Sequence, residues 1–134
     1  MTGLLPPTPK VLRSYRLSTY TGGGVTARIG RPPSGMPGGR TPLVLLSACN
    51  PGGRRLPDGW NRRMMRRLRE ALDGIAHLEG EGRLGRWSEP LVLAAVALPR
   101  GVVLARRFRQ NAVVLLQAGR PARLVLLTGR PGRD

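Results

Sequence analysis

The chain has one cysteine, one histidine, one phenylalanine and one lysine in 134 residues, and each shortage removes a class of explanation. With Cys49 alone, neither an intramolecular disulfide nor a cysteine-based zinc cluster can form. With His77 as the only histidine and the carboxylates scattered, no metal-ligand spacing is present, and the expectation is no metal and no cofactor. Lys10 is the only lysine, so Cys49-Asn50-Pro51-Gly52-Gly53 is no Walker loop, which needs Gly-x-x-x-x-Gly-Lys-Ser/Thr. Aromatic residues make up 4%, so the core must be built from Leu, Val and Ala. The longest apolar run, Leu91–Leu98, is far below the roughly 20 residues needed to span a bilayer. The opening "MTGLLPPTPK" lacks a basic segment followed by a sustained apolar one, so no secretory signal is read. A cytoplasmic protein with no membrane partner is expected.

Acidic residues are also scarce: 7 against 23 Lys+Arg, for a formal charge of +16. Such a charge favours polyanions, nucleic acid above all, because neutralising phosphates releases counterions. An excess made almost wholly of arginine, beside many Ala, Gly and Pro, is equally what a GC-rich genome writes on any surface. The charge alone therefore names a partner class without establishing it.

What is present reads as a small α/β (α+β) domain. Residues 1–10 are Pro-rich and read as a flexible N-terminus. Val25, Ala27 and Ile29 alternate with polar residues as in a half-exposed strand, and Tyr15–Thr21 either pairs with it or forms a helical turn. Residues 30–42 are rich in Gly and Pro and read as a mobile linker between this strand or hairpin appendage and a core at 43–128. In the core, Leu43–Ala48 is a central strand. Residues 57–73 have helical periodicity, with Met64, Leu68 and Leu72 in one stripe, Asp58 at the N-cap and Gly74 as the stop. Residues 75–80 read as a short edge strand and "GEGRLGRWSE" as a polar loop. Leu91–Leu98 is a buried strand, Pro99 starts a helix carrying Leu104, Ala105 and Phe108, and Asn111–Gln117 and Arg123–Thr128 are strands. Residues 129–134 read as a frayed tail of the single domain at 15–128. The order implies a two-layer sandwich, a ferredoxin-like βαββαβ core with an extra C-terminal strand.

Right-handed crossovers in that topology send several element ends to one rim. Those ends carry Asn50 and Pro51, Asp58 to Asn61, Glu79 and Glu81, Trp87 and Glu89, Arg106 to Gln110, and Asn111. Donors, acceptors and a flat apolar wall are what a small-ligand site needs, so Asn50, Pro51, Asn61, Trp87, Glu89, Gln110 and Asn111 form the candidate site for a small polar or nucleotide-like ligand. The plainer reading makes each a cap or turn residue, for which Asn-Pro-Gly-Gly is well suited.

Four stretches, "LLSACNPGGRRL…N", "EGEGR…WSEP", "LARRFRQNAVV" and "GRPARLVLL", resemble a bacterial family known as domain of unknown function 3293. Its members share a strand ending Thr-Ala-x-Asn-Pro, a later Asn, a Gly-rich segment before Trp-x-Glu, and a helix ending Phe-Gly-Gln. The resemblance spans roughly residues 15–128 and falls on Ala48, Asn50, Pro51, Asn61, Gly80, Trp87, Glu89, Phe108, Gln110 and Asn111. This chain departs from it with Ser47 in place of Thr and Arg109 in place of Gly. The resemblance implies a place for the site and no reaction.

Three chemistries compete. Glu89, between Trp87 and Pro90, is the candidate acid/base of an enzyme reading, although it could instead cap the strand entry or pair with Arg106 or Arg107. Cys49 and His77 are the one thiol–imidazole combination, but a lone cysteine is more often a small buried hydrophobe. The alternative to a pocket is an RNA- or DNA-binding module using Arg62, Arg63, Arg66, Arg67 and Arg69 on the first core helix, a basic face without an interleaved pair of aromatics. A looser anion nest at Gly52 and Gly53, flanked by Arg54 and Arg55, is also compatible with the sequence.

Overall fold

The computed structural model describes residues 7–51 and 54–127. The loose start at residues 1–6, the glycine nest at Gly52 and Gly53, and the frayed tail fall outside these residues, as does Thr128. Three helices and seven strands follow in the order α1 (Pro9–Leu17), β1 (Thr19–Gly22), β2 (Val25–Ala27), β3 (Leu43–Leu46), α2 (Asp58–Ala71), β4 (His77–Leu84), β5 (Trp87–Ala94), α3 (Leu98–Arg107), β6 (Ala112–Leu116) and β7 (Arg123–Leu126). The strands form one sheet in the order β2-β1-β4-β5-β3-β6-β7. Every neighbouring pair is antiparallel.

The continuous aliphatic run of β3 reflects burial on both faces of the sheet. Val44 and Leu46 join Val92, Ala94, Val113 and Leu115 in a core completed by Met65, Leu68 and Leu72 and by Leu104, Ala105 and Phe108. These are the inner stripes of α2 and α3, so both helices cover this face. Leu43 and Leu45 point the other way, into a second apolar cluster with Tyr20, Val25, Leu91, Leu93, Val114 and Leu116. A two-layer arrangement does not account for this second core. Instead the sheet curls, and residues just after β2 reach those just before β7. Ile29 bridges Ala122 in parallel, with Gly30 N–H donating to Ala122 O at 2.9 Å and Ala122 N–H to Arg31 O at 2.9 Å.

Several expectations need correction. Residues 8–10 are no loose chain: Thr8 Oγ1 accepts from the Val11 amide at 3.2 Å, and Pro9 occupies the first turn of α1, where its missing N–H costs nothing. The first hairpin is no appendage, because β1 pairs with β4 from Thr19–Arg83 to Gly22–Gly80. The same pairing makes β4 an interior strand. The expected polar loop is the distal half of the β4–β5 hairpin, which pairs from His77–Ala94 to Leu84–Trp87. Asp58 is the first residue of α2 and not its cap; Pro57 holds that position without a side-chain bond. Asp58 still lies where the helix dipole favours a negative charge.

At the end of α3, Arg109 adopts φ 56°, in the left-handed region, and Gln110 N–H closes the turn onto Ala105 O at 3.1 Å. A side chain in that conformation costs about 1–2 kcal/mol, partly offset because glycine loses more chain entropy on folding. Arg109→Gly is therefore expected to raise stability by about 0.5–1 kcal/mol. A urea midpoint moved upward at constant slope would show it, and a lowered midpoint would mean that the arginine side chain contributes a contact outweighing the strain.

Candidate functional site

The end of β3 is pinned to its surroundings before any ligand is considered. The Ala48 amide donates to Met65 Sδ at 3.3 Å, Ser47 Oγ donates to Pro90 O at 3.0 Å, and the Cys49 amide donates to Ser47 Oγ at 3.1 Å. The chain then turns sharply at Asn50, whose φ of 47° is left-handed. Asparagine is one of the few residues that enters this region with ease.

Asn50 is the hub of the site. Its Oδ1 accepts from the Leu56 amide at 2.8 Å and from Asn61 Nδ2 at 3.0 Å. Its backbone N–H donates to Asn61 Oδ1 at 3.0 Å, so the two asparagines grip each other in both directions. The remaining donor, Asn50 Nδ2, goes to Glu89 Oε1 at 2.8 Å. Gln110 supports the same turn from the other side: its Nε2 donates to Cys49 O at 3.1 Å and to Phe108 O at 3.2 Å. Gln110 thus ties the end of α3 to the end of β3.

Beside this hub lies a cavity of about 380 Å³, within the range of small-molecule sites. Asn50, Trp87, Glu89, Gln110 and Asn111 all line it. Leu45, Leu91 and Val114 from the second core supply apolar wall, and Val11, Ser14 and Tyr15 of α1 close it on another side. Tyr15 hydrogen-bonds the side chain of Asn111, and burial, the largest influence, pushes the tyrosine pKa up. Burial also raises Glu89, to about 7, against the opposing pull of the Asn50 hydrogen bond. Near neutral pH this carboxyl therefore exists in both protonation states, unlike an exposed glutamate.

Not every candidate arrives. Asn61 stands behind Asn50 and is not among the residues lining this cavity, and neither is Pro51. Glu79 and Glu81 stay away because β4 continues past them to Leu84, which lines the cavity in their place. Glu79 is instead held by Arg69 through two bonds of 2.9 Å, and Glu81 lies 3.5 Å from Arg83. Glu89 finds its partner in Asn50, where the sequence offered Arg106 or Arg107.

The thiol reading loses its chemical basis. Cys49 is 1% exposed, and burial followed by the Glu89 carboxylate raises its pKa to about 11, which disfavours the reactive thiolate. His77, on β4, has Nδ1 2.8 Å from Ile75 O and does not line the cavity. Among the described residues, no three of His, Cys, Asp and Glu gather as a metal site. No described helix is long and apolar enough to cross a membrane. The α1 residues are the part of the site absent from the sequence reading. The signal was Thr8-Pro9 followed by Val11 and Tyr15 one turn apart, a cap and an apolar stripe hidden in a Pro-rich start.

Fold and site together define a small mixed α/β protein with a half-buried carboxyl on the wall of a cavity. A family model described as "Protein of unknown function (DUF3293)" matches residues 46–113, just over half of the chain, and the chain belongs to that family. No curated protein and no solved structure matches it. The matched stretch is shorter than the resemblance over 15–128 and leaves out α1, β1, β2 and β7. It contains Asn50, Asn61, Trp87, Glu89, Gln110 and Asn111.

Proposed function

We propose that the cavity beneath α1 binds a small organic ligand with an apolar body and a polar head. The observation that carries this reading is the half-buried Glu89, hydrogen-bonded to Asn50, on the wall of a cavity to which Leu and Val side chains also contribute. In this reading Leu45, Leu91 and Val114 receive the body of the ligand. Glu89 and Asn111 meet its head, while Asn50, Asn61 and Gln110 position the turn. The same carboxyl, poised near pH 7, favours as a second reading an enzyme in which Glu89 gives or takes a proton. The strand order β6-β3-β5-β4, with α2 and α3 on one face, supports taking the core as ferredoxin-like, with the hairpin, α1 and β7 added around it.

The test is chemical-shift mapping with benzamide, benzoic acid and indole as probes. At least one should give saturable shifts at the Glu89 and Asn111 amides at millimolar concentration. Ser14→Trp, which places a large ring in the cavity from the α1 side, should abolish them. If none of the three probes shifts those amides, or if Ser14→Trp leaves the shifts intact, the cavity reading is wrong.

A further inference from the structure

On the other side of the Asn50–Glu89 pair lies a second, larger and more open cleft of about 700 Å³. Arg62, Arg66 and Arg69 from α2 line it, together with Arg55 from the preceding loop and Arg86 from the β4–β5 turn. Three separate segments therefore bring five guanidinium groups to one depression, against the carboxylates of Asp58 and Glu89. Among the described residues, Arg69 alone of the five is ion-paired, to Glu79. Arg62 and Arg66 stand one helical turn apart, a spacing at which like charges destabilise a helix. An arrangement that repels itself in the empty protein becomes favourable when an anion fills it. Trp87 lines the same cleft and is 46% exposed, a large flat surface left open to solvent beside the cations. The basic helix has no pair of aromatics interleaved with its arginines; the fold brings Trp87 to them from β5.

We propose that this cleft binds a nucleotide unit, with the phosphate held by Arg62, Arg66 and Arg86 and the base stacked on Trp87. Guanidinium groups match phosphate oxygens in charge and in fork geometry, and an aromatic face accepts any base. Arg63 and Arg67, on the same helix, are not among the residues lining the cleft, which narrows the contact to one edge of the basic face. A free mononucleotide and a single-stranded nucleic-acid segment both present this chemistry. The site goes beyond the ligand reading of the α1 cavity and does not require that cavity to be filled.

Calorimetric titration of the full chain at ~0.15 M salt with AMP, inorganic pyrophosphate and a uridine oligonucleotide tests the proposal. AMP or the oligonucleotide should bind saturably. Arg62→Gln with Arg66→Gln should weaken that binding about tenfold or more. Arg100→Gln with Arg120→Gln removes the same charge from exposed positions elsewhere and should change it less than about twofold. Trp87→Ala should weaken the nucleotide and leave pyrophosphate unaffected. Saturation by AMP as tight as by the oligonucleotide assigns the site to free nucleotides; binding of the oligonucleotide alone, falling steeply with salt, assigns it to a strand. Equal losses in the two double variants would reduce the effect to net charge and overturn the proposal, as would no binding of either nucleotide ligand or an indifferent Trp87→Ala. Ser14→Trp should leave all of this unchanged, so failure of the cavity reading and failure of the cleft are separable.

Discussion

Glu89→Gln is expected to make the protein more stable at pH 8, by about 3 kcal/mol, and to leave it little changed at pH 4. The folded state holds the Glu89 proton more tightly than the unfolded chain does, with a pKa of about 7 against 4.5. A raised pKa contributes stability that is fully present below the unfolded value and is lost as pH rises through the folded one. The wild-type protein should therefore lose stability progressively from about pH 4.5 to pH 8, most steeply between the two pKa values, where each pH unit costs about 1.4 kcal/mol. Glutamine retains the carbonyl oxygen that accepts from Asn50 Nδ2 at 2.8 Å and has no proton to lose in this range. Urea unfolding of both proteins at intervals from pH 4 to pH 9 isolates the effect, since changes in overall charge affect both alike. Parallel curves would mean that Glu89 ionises freely and that the site lacks its one poised group. A gain of stability on removing a site residue is itself what a functional carboxyl, retained at a cost, should show.

Gly80→Ala is expected to cost about 2–3 kcal/mol, although alanine is ordinarily the better strand residue. Gly80 faces Gly22 across the β1–β4 pairing. A Cβ on Gly80 would collide with the carbonyl oxygen of Thr21, lie 2.6 Å from Leu93 Cδ1 and 3.2 Å from Gly22 Cα. A Cβ on Gly22 would meet Glu79 O at 2.7 Å. Two strand backbones and a buried leucine meet here without side chains between them, and a ladder carbonyl cannot step aside as a rotamer can. The urea midpoint should fall by the corresponding amount, and exchange of the β1 and β2 amides should accelerate first. An unchanged midpoint would mean that β1 does not lie against β4 in this register.

These two sites also mark where the sequence was legible. The aliphatic runs of β3, β5 and β6 and the pair Leu68 and Leu72 are signals of burial, and burial is what placed them, although Met65 and not Met64 is the buried methionine of that stripe. The convergence of Asn50, Trp87, Glu89 and Gln110 followed from the order of elements, because short polar residues sat at the strand ends. The distal half of β4 was illegible for a physical reason: Gly80 allows close backbone approach and Gly82 leaves room for the Tyr20 ring, and in a sequence they look like a loop. That error carried Glu79 and Glu81 onto the rim and left Leu84 out. Helix α1 was obscured by a Pro-rich start in which Pro9 serves its first turn, so the roof of the cavity went unread. Nothing local to Arg62 or Arg66 announces Trp87, which reaches them through the pairing of distant segments.

The contact between Ile29 and Ala122 has a consequence for what counts as a working unit. It joins residues from near the two ends of the chain, and it lies wholly outside the stretch 46–113 that defines the family. A fragment cut to that stretch would keep the asparagine hub, Glu89 and the arginine cleft. It would also lose most of β3 and β6, with Leu43, Leu45, Val114 and Leu116, and lay bare Leu91 and Leu93 of β5, since Tyr20, Val25 and Ala122 belong to the cluster that covers them. Lineage is recorded in the middle of this protein, whereas the cover of its second core comes from its flanks. Relatives that keep the middle with different flanks would have to shield the same strands by other means.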